Sequence, residues 1–336
     1  MSYRAGGCAG AAGRWLLALA VLLCLLGGRH AGVRAQAAVH GRVLVADGHV
    51  LRLLDLDAGN ERDLLTLSSN DFVYSPVWLP DGHGFVYTVQ HVFTGDPNSD
   101  YGTDIWLGDT GGGSHPIWTH DAKGADIDGL ALSGDGRSLL FGYTRTDIAA
   151  DGSLLDQVIR VDALDMQAGV ARPFADGGLD PARAPDGSAV AYMDVSGADG
   201  DTDLWLRDGD GSHPRLLLAA SPGFLALFSP RFSPDGRTIL LSAAPDPAAA
   251  SEGACCASLA WAHGFPQDLY TLPSSGGTPR RLTTLGEDQP SAAWSSDGRT
   301  ILFNGTTGLY LINADGSGLA RIADGYQHAQ IAWLDH

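Results

Sequence analysis

Short apolar runs separated by polar turns repeat along most of the chain and predict an all-β protein. One cassette occurs five times: an apolar run, an Asp-Gly turn, a second apolar run, a variable segment, then an Asp-apolar-aromatic run and a Gly-rich turn. The turn aspartates are Asp81, Asp135, Asp186, Asp235 and Asp297. Asp-Gly between two apolar runs is a strong hairpin signal, because glycine accepts the positive φ of a tight turn. Four strands in a repeat of roughly 50 residues predict a blade of a β-propeller.

The two ends of the chain predict a sixth blade. Gln330–His336 matches the first strand of a cassette and half of its turn, and Gly41–Val45 continues where that match ends. Val50–Leu54 and Arg62–Thr66 then supply the third and fourth strands. A blade assembled from both ends closes the ring and removes open sheet edges. We therefore expect residues 36–336 to form one domain, a six-bladed β-propeller of four-stranded antiparallel blades.

The repeat resembles the TolB-like propeller repeats, the PD40 branch of the WD40-like class. The resemblance is carried by the Ser-Pro-Asp-Gly-Arg turn of residues 233–237, by Asp-Leu-Tyr at 268–270 and by Asp-Gly-Ser at 315–317. It covers about nine-tenths of the chain beyond residue 35 and implies the fold while saying little about function. The cassettes leave no room for the N-terminal α/β domain of TolB itself, so the resemblance is to the repeat family and not to TolB.

The first 35 residues predict an exported protein. Arg4 and Arg14 precede an uncharged run, Trp15–Leu26, which fits a signal peptide and is shorter than the roughly 20 residues that span a bilayer. Small residues at 33 and 35 predict cleavage before Gln36. An uncleaved anchor is the alternative, because basic residues follow the apolar run. In both cases we expect the rest of the chain outside the cytoplasm, as a secreted, periplasmic or cell-surface protein.

Charge and cysteine content narrow the classes of partner. The chain has 39 acidic and 21 basic residues, a formal net charge of −18, and Lys123 as its one lysine. Such a surface repels phosphate backbones and anionic lipid, so we expect no nucleic-acid partner and no membrane insertion of the mature domain. Cationic or metal-bridged partners fit this charge.

Only Cys255 and Cys256 follow the predicted leader, which excludes a disulfide framework. Their state is open among a vicinal disulfide, two free thiols and a pair bonded to another chain. Adjacent Cα atoms lie about 3.8 Å apart, below the roughly 4.4–6.8 Å of ordinary disulfides, so a vicinal bond would be strained.

The variable segments between the second and third strands are expected on one face, over the central channel, where repeat scaffolds build binding surfaces. The blade-four segment, Ala243–Gln267, is apolar for a loop and predicts a contact surface; a loop folded back onto its own blade fits equally well. The candidate contact residues are Trp261, His263, Phe265, Asp96 and Asp100.

Alternating carboxylates suggest calcium at Asp199 and Asp201, although Ca²⁺ needs six to eight oxygen ligands. Asp104, Asp203 and Asp268 occupy one repeat position instead, so we expect them to be structural and to cap a loop at the entry of a strand.

Catalysis has little support in the sequence, which lacks Gly-x-Ser-x-Gly, His-Glu-x-x-His, a phosphate loop and Cys-x-x-Cys. Asn304-Gly-Thr306 is a glycosylation sequon. We expect an exported, non-catalytic binding or scaffold propeller whose loop face contacts a protein or small-molecule ligand of unknown identity. The alternative is a channel-centred hydrolase or lyase, which a metal could assist.

Overall fold

The computed structural model describes residues 39–96, 99–149, 154–195, 202–246, 265–326 and 328–335. The regular structure of these residues is entirely β, with 24 strands in six four-stranded antiparallel sheets. The sheets are the blades of a six-bladed propeller, which confirms the predicted fold. Within the described ranges, no helix has the length and apolar character needed to cross a membrane.

The chain enters through three strands of blade six and then completes blades one and two. The first three strands are β1 (Arg42–Asp47), β2 (Val50–Asp55) and β3 (Asn60–Thr66). Blade one consists of β4 (Asp71–Trp78), β5 (Gly84–His91), β6 (Gly102–Asp109) and β7 (Ser114–Trp118). Blade two consists of β8 (Asp126–Leu132), β9 (Ser138–Ile148), β10 (Leu154–Asp165) and β11 (Val170–Asp176).

Blades three to five follow in the same way, and the last strand returns to blade six. Blade three consists of β12 (Gly178–Arg183), β13 (Ala189–Asp194), β14 (Asp203–Asp208) and β15 (Arg215–Leu218). Blade four consists of β16 (Phe224–Phe232), β17 (Thr238–Pro245), β18 (Asp268–Pro273) and β19 (Arg280–Arg281). Blade five consists of β20 (Ala292–Trp294), β21 (Thr300–Gly305), β22 (Gly308–Asn313) and β23 (Ala320–Asp324), and the final strand is β24 (Gln330–Leu334).

Blade six is assembled from both ends of the chain, as the sequence predicts. Its strand order is β24-β1-β2-β3, and β24 pairs antiparallel with β1, with Val43 opposite Trp333 and Val45 opposite Ile331. Ile331 is buried in the cluster that joins blades five and six. Trp333 is half-buried, and its indole N–H donates to the carbonyl of His40 at 3.0 Å.

The variable segment of blade two differs from its predicted form. The repeat pattern predicts a loop at residues 143–155, between the second and third strands of this blade, but β9 and β10 continue through most of it, pairing Arg145 with Val158 and Asp147 with Asp156. Thr144, Thr146 and Ile159 are β-branched residues that favour extended backbone. The result is a long hairpin on the loop face.

The core lies between neighbouring blades. One cluster joins Val86 of blade one to Leu139 and Phe141 of blade two, and all three side chains are fully buried. Apolar area removed from water between sheets is the main stabilising contribution in such a structure. Because each sheet packs on two others, closure of the ring buries both faces of blade six as well.

The aspartates at strand entry are structural, as expected. Asp104 accepts a hydrogen bond from the backbone N–H of His120 at 2.9 Å, and Asp203 accepts one from Ala220 at 2.8 Å. Asp268 accepts one from Leu285 at 2.8 Å. In each case the carboxylate holds the connection that leaves the same blade, which fixes where the next innermost strand begins.

Candidate functional site

A ring of left-handed backbone surrounds the centre of the propeller, with one residue from each blade. The ring residues, with their φ angles, are Ser75 (50°), Gly129 (62°), Asp180 (46°), Ser229 (51°), Gln289 (48°) and His328 (59°). All six line one cavity of about 640 Å³. Positive φ is strained for residues other than glycine, and such residues concentrate at active sites and ligand clamps. The ring therefore marks the cavity as the candidate functional site.

The local sequence explains the ring. In blades one to four, the pairing of the innermost strand shifts register at the ring residue, as between Tyr74 and Val77 or between Phe228 and Arg231. Proline follows the ring residue in four blades, at Pro76, Pro181, Pro230 and Pro290. Because proline lacks an N–H donor, it interrupts the ladder and favours a bulge, and bulges re-aim side chains beside functional sites.

A second layer lies deeper in the same cavity, three residues before the turn position of each repeat. Its members are Trp78, Leu132, Arg183, Phe232, Trp294 and Trp333. Five of the six are apolar, and Arg183 is the charged one. The cavity therefore has a polar mouth formed by the ring and a deeper apolar wall that carries one guanidinium.

The mouth of the cavity holds two aspartates in different environments. Asp180 is 8% exposed and accepts hydrogen bonds from the backbone N–H of Ser229 at 2.7 Å and from Arg231 Nη1 at 3.3 Å. Asp128, on the neighbouring strand, has its side chain exposed to the cavity. The pKa of Asp128 is raised to about 7. The largest cause is desolvation by the surrounding protein, and the negative charges of Asp180 and Asp126 add to it. Asp128 forms no ion pair with the arginines, lysine and histidines of the described residues.

Two polar atoms in the cavity wall have no hydrogen-bond partner in the described protein. Oε1 of Gln267 is one, and this side chain is 4% exposed. Nε of Arg183 is the other, and burial lowers the pKa of that guanidinium. An unsatisfied buried polar group costs about 1–3 kcal/mol.

The predicted contact residues fall on separate blades. Asp96 and Asp100 are exposed between β5 and β6 of blade one, and Phe265 is half-buried just before β18 of blade four. These blades are not neighbours in the ring. Trp261, His263, Asp199, Asp201, Cys255 and Cys256 lie outside the described residues.

Asp100 ends a chain of alternating carboxylates and imidazoles on blade one. His91 lies 2.7 Å from Asp71 and 3.4 Å from Asp104, and His120 lies 2.6 Å from Asp104 and 3.1 Å from Asp100. Burial opposes protonation of His120, but its hydrogen bonds with Asp104 and Asp100 outweigh burial and raise its pKa. The carboxylates contact opposite sides of each ring, and in the described part of the chain no three His, Cys, Asp or Glu side chains are grouped to hold a metal ion.

The sequon residue Asn304 is buried. Its side chain is 2% exposed, and its amide Nδ2 donates to the carbonyl of Ala329 at 2.8 Å. Attachment of a glycan to this nitrogen would require both the hydrogen bond and the packing to be lost, so the folded protein does not present Asn304 for glycosylation.

The sequence did not predict the ring residues, because the repeated cassette begins after them, as at Pro76, Pro181 and Pro230. The signal that was present is a polar residue before proline at a constant distance from the turn, as in Ser75-Pro76, Asp180-Pro181 and Ser229-Pro230. That pattern is compatible with a bulge, whereas a buried central strand excludes proline. Asp128, Arg183 and Gln267 give no comparable signal.

Known structures share this architecture. TolB from Acinetobacter baumannii matches with a TM-score of 0.62 and 19% identity, over 87% of this chain and 66% of that chain. The chain has the TolB-like propeller fold. Hydrazine synthase from Kuenenia stuttgartiensis matches with a TM-score of 0.57 and 12% identity, over 89% of this chain and 47% of that one. An oligogalacturonate lyase in complex with manganese matches with a TM-score of 0.52 and 16% identity, over 87% of this chain and 83% of that one.

These likenesses show the fold alone. No family model matches the chain. The chain spans slightly less than two thirds of the length of the TolB chain, and the three proteins named above differ in function while sharing the propeller. A propeller scaffold hosts unrelated functions, so function must be argued from the cavity.

Proposed function

We propose that this protein is an exported, non-catalytic binding propeller that holds a small polar ligand in its central cavity. The observation that carries the proposal is the ring of six left-handed residues, five of them not glycine, around a single cavity of about 640 Å³. That volume falls in the roughly 300–1,000 Å³ range of ligand pockets. Backbone strain maintained in five of the six blades around one cavity is expected where the fold presents side chains to a ligand.

The lining supports a polar ligand. The ring and its neighbours supply Asp128, Asp180 and Gln267, and the deeper wall supplies aromatic surface and Arg183. A few convergent polar groups on an otherwise apolar wall are typical of small-molecule sites. The loop-face residues Trp261, His263, Phe265, Asp96 and Asp100 remain predicted contacts for a larger ligand or a protein that covers the mouth.

The predicted leader supports an extracytoplasmic location. The apolar run Trp15–Leu26 fits a signal peptide, and the absence of cysteine from the blades themselves suits a fold that needs no disulfide framework. Detection of the mature N-terminus at Gln36 in an extracytoplasmic fraction would test this part of the proposal.

A binding screen that compares the wild type with a variant whose cavity is filled tests the proposed ligand site. Ala293 lines the cavity and belongs to no apolar cluster of the core, so Ala293→Trp is expected to narrow the cavity without cutting into the core. Ala168 is exposed in the β10–β11 turn, and Ala168→Trp is the matched control. A panel of amino acids, peptides, sugars, sugar acids and simple carboxylates is titrated by calorimetry and by thermal shift.

We expect at least one solute to bind the wild type and the Ala168→Trp protein and to lose binding in Ala293→Trp. Solutes that bind all three proteins equally, or a panel with no binder, would contradict a ligand site in the cavity.

A channel-centred lyase or hydrolase is the second candidate. The observation that favours it is the pKa of Asp128 near 7, which suits a general acid or base at neutral pH. The fold likeness to an oligogalacturonate lyase in complex with manganese suggests the first substrate to assay, an oligogalacturonate with and without Mn²⁺. Turnover that is lost in Asp128→Asn and retained in Asp176→Asn, an exposed control on β11, would favour the enzyme.

A further inference from the structure

Asp128 and Arg183 are the charged groups of the cavity that have no ion-pair partner in the described protein. Asp180 and Arg231 neutralise each other at 3.3 Å, whereas neither Asp128 nor Arg183 takes part in an ion pair. Asp128 faces the cavity, and the buried Nε of Arg183 has no hydrogen-bond partner. An unpaired carboxylate and an unpaired guanidinium in one cavity are matched by a ligand that carries both charges.

The two groups lie at different depths. Asp128 directly precedes the ring residue Gly129 on β8, and Arg183 follows the ring residue Asp180 by three positions on the neighbouring strand β12. The offset along the strand direction is therefore four residues, about 13 Å at a rise of roughly 3.3 Å per residue. A ligand held between the two groups is shorter than this offset, so its charges are expected to be less than about 13 Å apart.

The wall of the same cavity suits an extended chain between these charges. Gln267 is 4% exposed. Its side-chain carbonyl oxygen accepts no hydrogen bond from the described protein. Trp294 and Phe232 supply apolar surface at the depth of Arg183. A ligand with methylene or peptide units between its ends would contact this surface.

We infer that the cavity binds a linear zwitterion, with its ammonium group at Asp128 near the mouth and its carboxylate at Arg183 deeper in the channel. The inference rests on the proposed function, because it names the ligand class of that site. Short peptides and straight-chain ω-amino acids share this chemistry. An extended peptide of three or four residues spans about 10–13 Å between its termini, which matches the spacing of the two groups.

The test is a calorimetric titration with triglycine, tetraglycine and an ω-amino acid of matching length as probes. N-acetylated and C-amidated forms of each probe remove one charge at a time, and glycine is the probe that is too short. We expect the zwitterions to bind and each blocked form to bind roughly tenfold more weakly or worse, because each loses one charge-assisted contact.

Variants then assign each end of the ligand. Asp128→Asn should abolish the preference for a free amine over an acetylated one and keep the preference for a free carboxylate, and Arg183→Gln should do the reverse. A partly unfolded variant would lose both preferences together, so this pattern separates recognition from stability. Asp176→Asn, with the same loss of charge on an exposed outer strand, should change neither preference.

The outcomes separate this inference from the proposed function. If neutral sugars or simple anions bind in a way that Ala293→Trp abolishes while the zwitterions do not bind, the ligand class is wrong and the cavity remains the site. If the zwitterions bind and both variants keep both preferences, the assignment to Asp128 and Arg183 is overturned. If nothing in either panel binds, both proposals fail. Selective binding of peptides over ω-amino acids would identify the peptide as the source of the zwitterion.

Discussion

Gly129 and Asp180 hold equivalent positions on neighbouring innermost strands, and a Cβ atom on Gly129 would lie 2.5 Å from Oδ1 of Asp180. Gly129 also has φ +62°, a conformation that glycine adopts at no steric cost. Asp180 in turn accepts hydrogen bonds from Ser229 and Arg231 on the next strand. The carboxylate thus links blade three to blade four, and it has room to lie beside blade two because that blade contributes a glycine.

Gly129→Ala is expected to lower stability by more than backbone strain alone, since the new methyl group displaces Asp180. The matched control is Gly187→Ala, where φ is +73° and nothing lies within 4 Å of the added Cβ. The control should cost about 1 kcal/mol in the free energy of unfolding, and Gly129→Ala should cost clearly more and weaken ligand binding. Urea denaturation of both variants measures the difference. Equal losses would show that Asp180 is not fixed by this contact.

The repeat pattern was sufficient to predict the fold, because Asp-Gly turns and apolar runs are local signals with a strong period. It predicted the joining of β24 to β1 and the structural role of Asp104, Asp203 and Asp268, since all of these follow from position within the cassette. The long hairpin of blade two was mistaken for a loop because its polar, β-branched residues carry no apolar alternation. Eight of the 23 residues in β9 and β10 are therefore not predicted as strand by a hydrophobicity pattern.

The candidate site could not be predicted in the same way. Asp128, Arg183 and Gln267 come from blades two, three and four and line one cavity because the blades pack around a common centre, a relationship that no local spacing in the sequence shows. The sequence predicts contact residues on the loops over the central channel, and these stay predictions. Variable segments between strands predict binding loops, whereas the cavity is lined mainly by the innermost strands of the blades.

Asp128 should make the folded protein less stable as pH rises. Its pKa is raised in the folded state from the ordinary 3.8 to about 7, so the folded protein binds this proton more tightly than the unfolded chain does. Its contribution to the free energy of unfolding therefore falls between about pH 4 and pH 7. The free energy of unfolding of Asp128→Asn, relative to that of the wild type, should therefore be higher at pH 8 than at pH 5. A difference between the two proteins that is the same at both pH values would contradict the raised pKa.

His120 should also stabilise the folded protein less as pH rises, but here the favoured protonated form is the charged one. Its pKa is raised above 6.5 by Asp104 and Asp100, so the protonated ring stabilises blade one fully below pH 6.5, and this contribution is lost as pH rises through the folded value. The wild type should exceed His120→Gln in stability by more at pH 6 than at pH 9. NMR titration of the imidazole gives the pKa directly, and a midpoint below 6.5 would refute this reading of the His–Asp chain.

Closure of the ring through β24 should dominate stability. Ile331 is 6% exposed in the cluster shared by blades five and six, and Ile331→Ala is expected to cost about 2–5 kcal/mol. Trp333→Ala should cost less than the roughly 3–5 kcal/mol of a fully buried tryptophan, because this ring is half-buried. Deletion of residues 331–336 should prevent cooperative unfolding of the whole propeller in calorimetry. A truncated protein that melts like the full-length one would contradict the closure.

Calcium at Asp199 and Asp201 stays a prediction from the sequence. If the alternating carboxylates of this segment bind Ca²⁺, the melting temperature should rise with added Ca²⁺ and fall with EDTA, since a ligand of the folded state stabilises it by mass action. Asp199→Asn should remove the effect. A melting temperature that responds to neither reagent would eliminate the calcium site.

A crystal structure of the protein with the tightest-binding probe of the two panels tests the central claim most directly. The account predicts ligand density inside the ring of Ser75, Gly129, Asp180, Ser229, Gln289 and His328, with ligand atoms within hydrogen-bond distance of Asp128 and of the Arg183 guanidinium. Density for the probe on the outer loops, with none inside the ring, would contradict the account.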